Sequence, residues 1–513
     1  MPNANVTARS MLGAGVGVTL GSLLAQGANL GRDVAFAVSF GSNLKVDCFF
    51  LATMVPIFLA TVATAAFRST IVPVLERVAQ ARGEGDKRAI VLRAARAGVV
   101  TVAAVACLLA LSAPWSATVI AGRLPEGAAR LVTLFTWATL PMLAMSCYAA
   151  LADGPLQTYG RFFYPTALRA AVPLGMALGA LIWPSRDGLF AASIGGAIGA
   201  SCQLLAVFVL LRSAVPRQPI RLAAPADAMA AVRAQFLLLS ASVSIQYVGP
   251  IIDQWMASFL GAGAVSAMTY ASRLAVGAAS IAAGSIGPVL LPLFSRVIAR
   301  ADRHALNRHY VSALRLTFWA GLLLAGLIWL ASEPAVGLLY EHGKFARADT
   351  YLVSQVLACL ALQFPMLLPG IVSATVISAA AHNRFFLPLT LGTAISNATG
   401  NLALMQWFGL AGIALSTVLT YALSLAAMNV HLHRAGLIDL PRGLALEAAA
   451  AAATAGVLAL LILAFDLRPG VVPTVSQVAA SLCGLGLLGA VAYRFTRPDI
   501  AALTGRVAPA SAA

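Results

Sequence analysis

Residues 98–122 read GVVTVAAVACLLALSAPWSATVIAG, an apolar run that lies between Arg96 and Arg123 and contains no Asp, Glu, Lys or Arg. A helix of this length rises about 37 Å, which is enough to cross the roughly 30 Å hydrocarbon core of a bilayer. Similar runs recur along the chain, separated by short charged stretches. Because backbone groups in lipid must be hydrogen-bonded within their own segment, the pattern predicts membrane-spanning helices.

The composition supports the same interpretation. The chain has 513 residues, of which 60% are hydrophobic and 10% are charged, and its mean hydropathy is +0.87. A soluble domain normally has about a quarter of its residues charged, so a soluble enzyme and a disordered chain are excluded. The six cysteines lie in apolar runs without metal-ligand spacing, which predicts no metal site.

The apolar runs predict an all-α polytopic membrane protein with about fourteen transmembrane helices. Helices 1 to 14 are predicted at residues 11–40, 47–75, 92–121, 129–153, 161–183, 188–212, 232–260, 265–295, 310–340, 351–380, 384–407, 410–433, 443–465 and 473–494.

The net charge of +16 is unevenly distributed, and Lys and Arg are concentrated in alternate connectors, most densely between residues 77 and 96. Positive residues are retained in the cytoplasm, so we expect both termini on the cytoplasmic side of the membrane. The same distribution predicts contact with membrane lipids and not with nucleic acid.

The chain contains an internal repeat. The stretch IVPVLERV at residues 71–78 returns as LLPLFSRV at 290–297, and RFFYP at 161–165 returns as RFFLP at 384–388. Both pairs are separated by about 220 residues, a spacing typical of transporters built from duplicated bundles.

The repeat predicts two parallel six-helix repeats followed by two C-terminal helices. The corresponding domains are a six-helix bundle at residues 1–220, a second six-helix bundle at 221–436, and two further transmembrane helices with a cytoplasmic tail at 437–513.

The sequence lacks a phosphate-binding loop, a zinc-binding H-E-x-x-H motif and a nucleophile with an adjacent base. We therefore expect no enzymatic activity and no bound cofactor.

Ionisable residues inside apolar spans usually face a cavity or one another, because burying them is costly. Predicted helices 1, 2 and 8 carry Arg32, Asp33, Asp47 and Arg273. If the two halves face each other across a cleft, Arg32 and Arg273 are placed to bind one anionic group, for which a phosphate or pyrophosphate is the natural candidate. The alternative is that Arg32 pairs with Asp33 or Asp47 and that Arg273 reaches the membrane interface.

Two further residues belong to this candidate substrate site. Gln26 lies upstream of Arg32 in helix 1, and Arg68 lies near the predicted cytoplasmic end of helix 2, where the alternative role is that of an interface anchor.

A second constellation offers oxygen ligands. Asn397 and Asn401 share one face of helix 11, Thr417 lies beside Ser416 in helix 12, and Asp253 follows a Gly-Pro pair in helix 7. One carboxylate among neutral oxygens suits Na⁺ or a proton, which predicts a coupling site. Asparagines that bond one helix to another are the alternative.

Short motifs spread along most of the chain resemble those of the MurJ/MviN family, the lipid II flippases of the MOP transporter superfamily. The matching segments are Gly31-Arg32-Asp33, Asp47-Cys48-Phe49-Phe50, Phe67, Pro73, Tyr270-Ala271-Ser272-Arg273-Leu274, Leu291-Pro292 and Gly343-Lys344-Phe345.

The resemblance implies export of an undecaprenyl-pyrophosphate-linked saccharide, lipid II, from the cytoplasmic to the periplasmic leaflet by alternating access. It implies that Arg32 and Arg273, with Asp33 and Asp47, lie in a central cationic cavity, and that helices 13 and 14 form a groove for the lipid tail. Membrane potential or a cation gradient would drive the cycle, and proteins of envelope biosynthesis are the expected partners.

The chain departs from the family pattern at two positions, because neutral Gln26 and Ala60 stand where the family usually has arginine. Arg68 lies about 12 Å further along the helix than Ala60, so it is a poor direct replacement. The departures leave open a second substrate, another lipid-linked oligosaccharide of the exopolysaccharide or O-antigen type. Weaker alternatives are a cation-coupled multidrug exporter and a membrane partner that transports nothing.

Overall fold

The computed structural model describes residues 4–82, 84–184, 188–214, 236, 240, 244 and 248–439. Within these residues all regular secondary structure is helical and no strand occurs, which confirms the predicted all-α fold. The predicted helices 13 and 14, at residues 443–465 and 473–494, lie outside the described residues.

The helices overlap the predicted spans, and α1, α2, α3 and α11 extend seven or eight residues beyond them. In chain order they are α1 Ala4–Phe40, α2 Leu44–Arg82, α3 Glu84–Ile120, α4 Ala128–Leu151, α5 Asp153–Thr158, α6 Phe163–Ala167, α7 Ala171–Ile182, α8 Gly188–Ala214, α9 248–257, α10 Ala264–Ala299, α11 Arg303–Tyr340, α12 Arg347–Ala361, α13 Phe364–Ala379 and α14 Phe386–Arg434. Short 3-10 turns lie at Leu168–Ala170, Ser258–Leu260 and Asn383–Phe385.

Seven helical spans in the described part of the chain are long and apolar enough to cross a membrane, and an eighth is added if the bent pair α12 and α13 counts as one span. The chain is therefore a multi-pass membrane protein. Five of these spans lie between Leu44 and Ala214.

Helix α14 contains two of the predicted spans, 384–407 and 410–433. The backbone leaves the helical region at Gly409, where φ is +55°, a value that glycine adopts readily. A straight helix would separate Asn397 from Ser416 by about 28 Å. The Ser416 hydroxyl nevertheless donates a hydrogen bond to the Asn397 carbonyl at 3.1 Å, so the chain reverses at Gly409 and forms two antiparallel helices.

Two other predicted helices are interrupted, and in both a proline is the cause. Predicted helix 10 bends by 43° between α12 and α13, because Pro365 lacks an amide hydrogen and restarts the helix at Phe364. Predicted helix 5 is divided by the 3-10 turn Leu168–Ala170. There Pro173 cannot donate to the carbonyl of Arg169, four residues earlier.

The chain divides into two compact units. The first consists of the described residues up to Thr269 together with His342–Ala346, and the second of Tyr270–Glu341 with residues 347–439. In the first unit Phe36, Phe49 and Phe135 form a chain of edge-to-face rings with centroids 5.5 Å apart, which joins α1, α2 and α4.

The core of the second unit joins α11, α13 and α14. Tyr310 is fully buried there, and its hydroxyl group hydrogen-bonds to Ser373 at 2.8 Å and donates to Asn429. The predicted domain boundaries after residues 220 and 436 stay a prediction.

The repeated motif makes the same local contact in each unit. The Arg77 Nε atom donates to the Pro73 carbonyl at 3.2 Å, and the Arg296 Nε atom donates to the Pro292 carbonyl at 3.2 Å. Equivalent positions of the repeat therefore have equivalent local structure.

Helices α7 and α8 pack backbone to backbone through small residues. A Cβ atom built on Gly175 would meet the carbonyl group of Gly195, and one on Gly195 would meet that of Gly175. Gly179 faces Ala191 in the same way, so the two helices run antiparallel in a close small-residue crossing.

We expect Gly175→Val to destabilise the protein by about 1–3 kcal/mol, because the added side chain must push the backbone of α8 away. Thermal unfolding of the purified protein measures the effect. The matched control is Gly392→Ala in α14, where no heavy atom lies within 4 Å of the added Cβ atom. An unchanged unfolding temperature in Gly175→Val would contradict the close crossing.

Candidate functional site

The structure places a buried ion pair in α1. The Arg32 Nε and Nη2 atoms both donate to Oδ1 of Asp33, at 3.0 and 2.6 Å. Arg32 is 7% exposed and Asp33 is 1% exposed. Pairing offsets part of the cost of removing both charges from water, and it holds the guanidinium group in one orientation.

Asp47 has a different set of partners. Its carboxylate is fully buried and accepts hydrogen bonds from the backbone amides of Gly263 at 2.5 Å and Ser266 at 2.7 Å. These amides lie at the start of α10, where the unsatisfied N–H groups and the helix dipole favour an anion. Asp47 therefore caps α10 from a position 216 residues earlier in the chain.

A serine pair reinforces this junction. The Ser42 hydroxyl donates to the Gly263 carbonyl at 3.1 Å, and the Ser42 and Ser266 hydroxyl groups lie 2.7 Å apart. The α1–α2 turn and the start of α10 are thus joined by several hydrogen bonds inside the first unit.

The structure does not bring Gln26 or Arg68 to this junction. Gln26 is exposed on α1, about 9 Å along the helix from Arg32. Arg68 is exposed near the other end of α2, about 30 Å along the helix from Asp47. The predicted roles of Gln26 and Arg68 in substrate binding stay predictions.

Arg273 is half-buried in α10 and belongs to the second unit, whereas Arg32 belongs to the first. The expected convergence of the two arginines on one anion stays a prediction.

Three oxygen-rich residues of the proposed cation site, Asn397, Asn401 and Thr417, lie in the α14 hairpin and form hydrogen bonds to each other and to its backbone. The Asn401 amide donates to Oδ1 of Asn397 at 3.5 Å, the outer limit of a hydrogen bond, and Thr417 donates to the Ile413 carbonyl at 3.3 Å. Both bonds lie within one helix, and a hydrogen bond between the two helices of the hairpin runs from the Ser416 hydroxyl to the Asn397 backbone carbonyl. The cation site and the helix-joining asparagines therefore both stay predictions. Asp253 is buried in α9 of the first unit, so its place in a cation site stays a prediction.

Sequence reasoning missed a second ion pair, in which the carboxylate is buried and the arginine is partly exposed. Asp153, at the start of α5, is 1% exposed and accepts a hydrogen bond from the Arg169 guanidinium group. Both residues lie inside predicted membrane spans, and ionisable residues in such positions are rare enough to be noticed.

The fold defines the class of protein. The chain is similar to the solved structure titled "Lipid II flippase MurJ, inward closed conformation", with a TM-score of 0.74 and 19% identity over 93% of this chain and 98% of that one. It is also similar to an inward-facing multidrug resistance MATE family transporter of the MOP superfamily, with a TM-score of 0.67 and 13% identity over 80% of this chain and 94% of that one. At these identities the likeness shows the fold alone, that of a helical membrane transporter.

Sequence comparison identifies the family. The family profile described as "Lipid II flippase MurJ" matches residues 36–478, and the chain belongs to this family. The probable lipid II flippase MurJ of Vibrio cholerae serotype O1 is 27% identical over 515 residues, which cover 94% of this chain and 95% of that protein. The lipid II flippase MurJ of Burkholderia cenocepacia is 26% identical over 416 residues, 77% of this chain and 78% of that one.

Family membership shows that this chain is a transporter and not an enzyme. The comparisons do not favour the multidrug exporter, because the likeness to MATE transporters is confined to the fold.

We expect Asp47→Ala to speed amide hydrogen exchange at Gly263 and Ser266 about tenfold or more, because both N–H groups lose their acceptor. Exchange is followed by mass spectrometry on peptides that cover the start of α10. The control is Cys48→Ala, which changes the neighbouring buried side chain and leaves the carboxylate in place. Equal exchange in wild type and Asp47→Ala would show that the carboxylate does not hold these amides.

Proposed function

We propose that this chain moves lipid II, an undecaprenyl-pyrophosphate-linked saccharide, from the cytoplasmic to the periplasmic leaflet of the bacterial inner membrane by alternating access. The observation that carries the proposal is the family match over residues 36–478. The named relatives that cover most of this chain are described as lipid II flippases or probable lipid II flippases.

The buried pair in α1 gives the proposal a chemical basis. A pyrophosphate needs cationic hydrogen-bond donors that keep their charge in an apolar environment, and a guanidinium group meets this need. The two bonds to Asp33 use the Nε and Nη2 atoms of Arg32, and Nη1 carries further N–H donors for an anion. Asp33 in this scheme orients Arg32, and Arg273 supplies the second guanidinium group.

The Asp47 contact suits one step of the cycle. In alternating access a central site opens to one side of the membrane at a time. The bonds from Gly263 and Ser266 to Asp47 join the start of α2 to the start of α10. We infer that these bonds close the periplasmic side and break when the site opens there.

The rest of the proposal follows the charge distribution. Both termini lie in the cytoplasm. Membrane potential, Na⁺ or a proton drives the transport cycle, and the candidate cation ligands are Asp253, Asn397, Asn401 and Thr417. Proteins of envelope biosynthesis deliver the substrate or receive it.

Complementation tests the proposed substrate. The resident lipid II flippase of a suitable bacterium is depleted, this chain is expressed, and growth and the leaflet location of lipid II are followed. We expect growth to recover and lipid II to appear outside. Failure, with the protein confirmed in the membrane, would contradict lipid II as the substrate and point to another polyprenyl-linked saccharide, with the neutral Gln26 and Ala60 as the explanation.

The same assay tests the cationic pair. We expect Arg32→Ala and Arg273→Ala to abolish transport and to leave folded protein in the membrane, because each removes a pyrophosphate donor. Since Arg32→Ala leaves Asp33 buried without its cation, the double variant Arg32→Gln/Asp33→Asn removes both charges and protects the fold. The control is Arg123→Ala in the exposed α3–α4 loop. Wild-type flux in the double variant would reject the assignment of Arg32.

A further inference from the structure

The Asp153–Arg169 pair lies beside a third charged residue. Arg68 on α2 is close enough to Asp153 for an electrostatic attraction, and a Cβ atom on Gly154 would lie 3.9 Å from the Arg68 Cα atom. We call Arg68, Asp153 and Arg169 the three-charge cluster. All three residues belong to the first unit.

Local backbone breaks fix two members of this cluster. Pro155 has no amide hydrogen for the Leu151 carbonyl, so α4 ends there and Asp153 occupies the first turn of α5. Pro173 leaves the Arg169 carbonyl without its helical donor, and Arg169 lies in the 3-10 turn Leu168–Ala170. Both breaks lie inside predicted membrane spans.

The charges of the cluster are unbalanced. Two guanidinium groups share one carboxylate, which leaves a net charge of about +1. The carboxylate is buried and Oδ1 of Asp153 has no hydrogen-bond partner among the described residues, whereas the Arg169 side chain is 39% exposed and Arg68 is exposed. The anion therefore lies inside and both cations reach outward, an arrangement that attracts a second anion from outside.

The cluster lies in the C-terminal half of α2 and just after the C-terminal end of α4, and the charge distribution predicts that both helices end on the cytoplasmic side. A lipid-linked substrate enters from that leaflet under the proposed function. The chain has neutral Gln26 and Ala60 where the family resemblance leads us to expect arginine, and Arg68 supplies a positive charge about 12 Å from Ala60 along α2.

We propose that the three-charge cluster is a binding site for the pyrophosphate of a polyprenyl-pyrophosphate lipid, occupied before the substrate reaches Arg32. The proposal rests on the proposed function and adds an earlier binding site for the lipid-linked substrate. Arg68 and Arg169 bind the phosphate oxygens, and Asp153 is a positioning residue that holds Arg169. An anionic phospholipid carries the same phosphate chemistry, so the experiment compares the two lipids.

The experiment uses the purified full chain with Arg32→Gln/Asp33→Asn, which removes the central contact. Native mass spectrometry measures its affinity for undecaprenyl pyrophosphate and, separately, for phosphatidylglycerol. We expect undecaprenyl pyrophosphate to bind, and Arg68→Gln to weaken that binding about tenfold with little effect on phosphatidylglycerol. Arg169→Gln combined with Asp153→Asn is expected to do the same, and it avoids leaving a buried carboxylate alone.

The matched control is Arg212→Gln at the same predicted side of the membrane. The Arg212 guanidinium group lies 5.2 Å from the centre of the Phe208 ring at the end of α8, and it forms no ion pair among the described residues. We expect this variant to bind both lipids as the parent does. Unchanged affinity for undecaprenyl pyrophosphate in the cluster variants, or an equal loss for phosphatidylglycerol, would overturn the proposal.

The two experiments can reject the proposed function and the proposed binding site independently of each other. A chain that does not rescue a lipid II flippase but binds undecaprenyl pyrophosphate through Arg68 and Arg169 rejects lipid II transport and supports the site. A chain that rescues growth, while its cluster variants bind undecaprenyl pyrophosphate as the parent does, keeps the function and rejects the site.

Discussion

A charge inside a membrane protein must be paired, because lipid and apolar side chains cannot solvate it. The first unit meets this constraint in three ways. Asp33 accepts two bonds from its neighbour Arg32, Asp47 accepts two backbone amides at the start of α10, and Asp153 accepts the guanidinium group of Arg169. Under the proposed function, these three arrangements supply an anion donor at Arg32, a closed periplasmic junction at Asp47 and a cationic surface at Arg169.

The backbone supplies the positions for these pairs. Glycine permits close approach of α7 to α8 and a reversal in α14, and proline interrupts helices where a polar residue is placed. Asp153 and Arg169 both lie at such interruptions. Without these interruptions, the side chains of Asp153 and Arg169 would point in different directions from those observed. Some of the buried polar residues therefore lie where the apolar helices are interrupted.

Hydropathy predicted the helices well because lipid imposes one backbone solution on every long apolar run. The turn at Gly409 was predicted from the break between 384–407 and 410–433, and the family from short motifs around Arg32 and Arg273. The partners of Asp47 were not predictable, since the amides of Gly263 and Ser266 lie more than 200 residues away and no local pattern encodes them. The breaks caused by Pro173 and Pro365 were missed because hydropathy continues across them.

The most direct test of the account is reconstitution of the purified chain into vesicles that carry labelled lipid II in one leaflet. The label exposed in the opposite leaflet is measured over time. The account predicts that lipid II crosses in vesicles with the wild-type chain and stays in place with Arg32→Gln/Asp33→Asn. Vesicles in which the folded wild-type chain moves no lipid II, or in which the double variant moves it equally fast, would contradict the account.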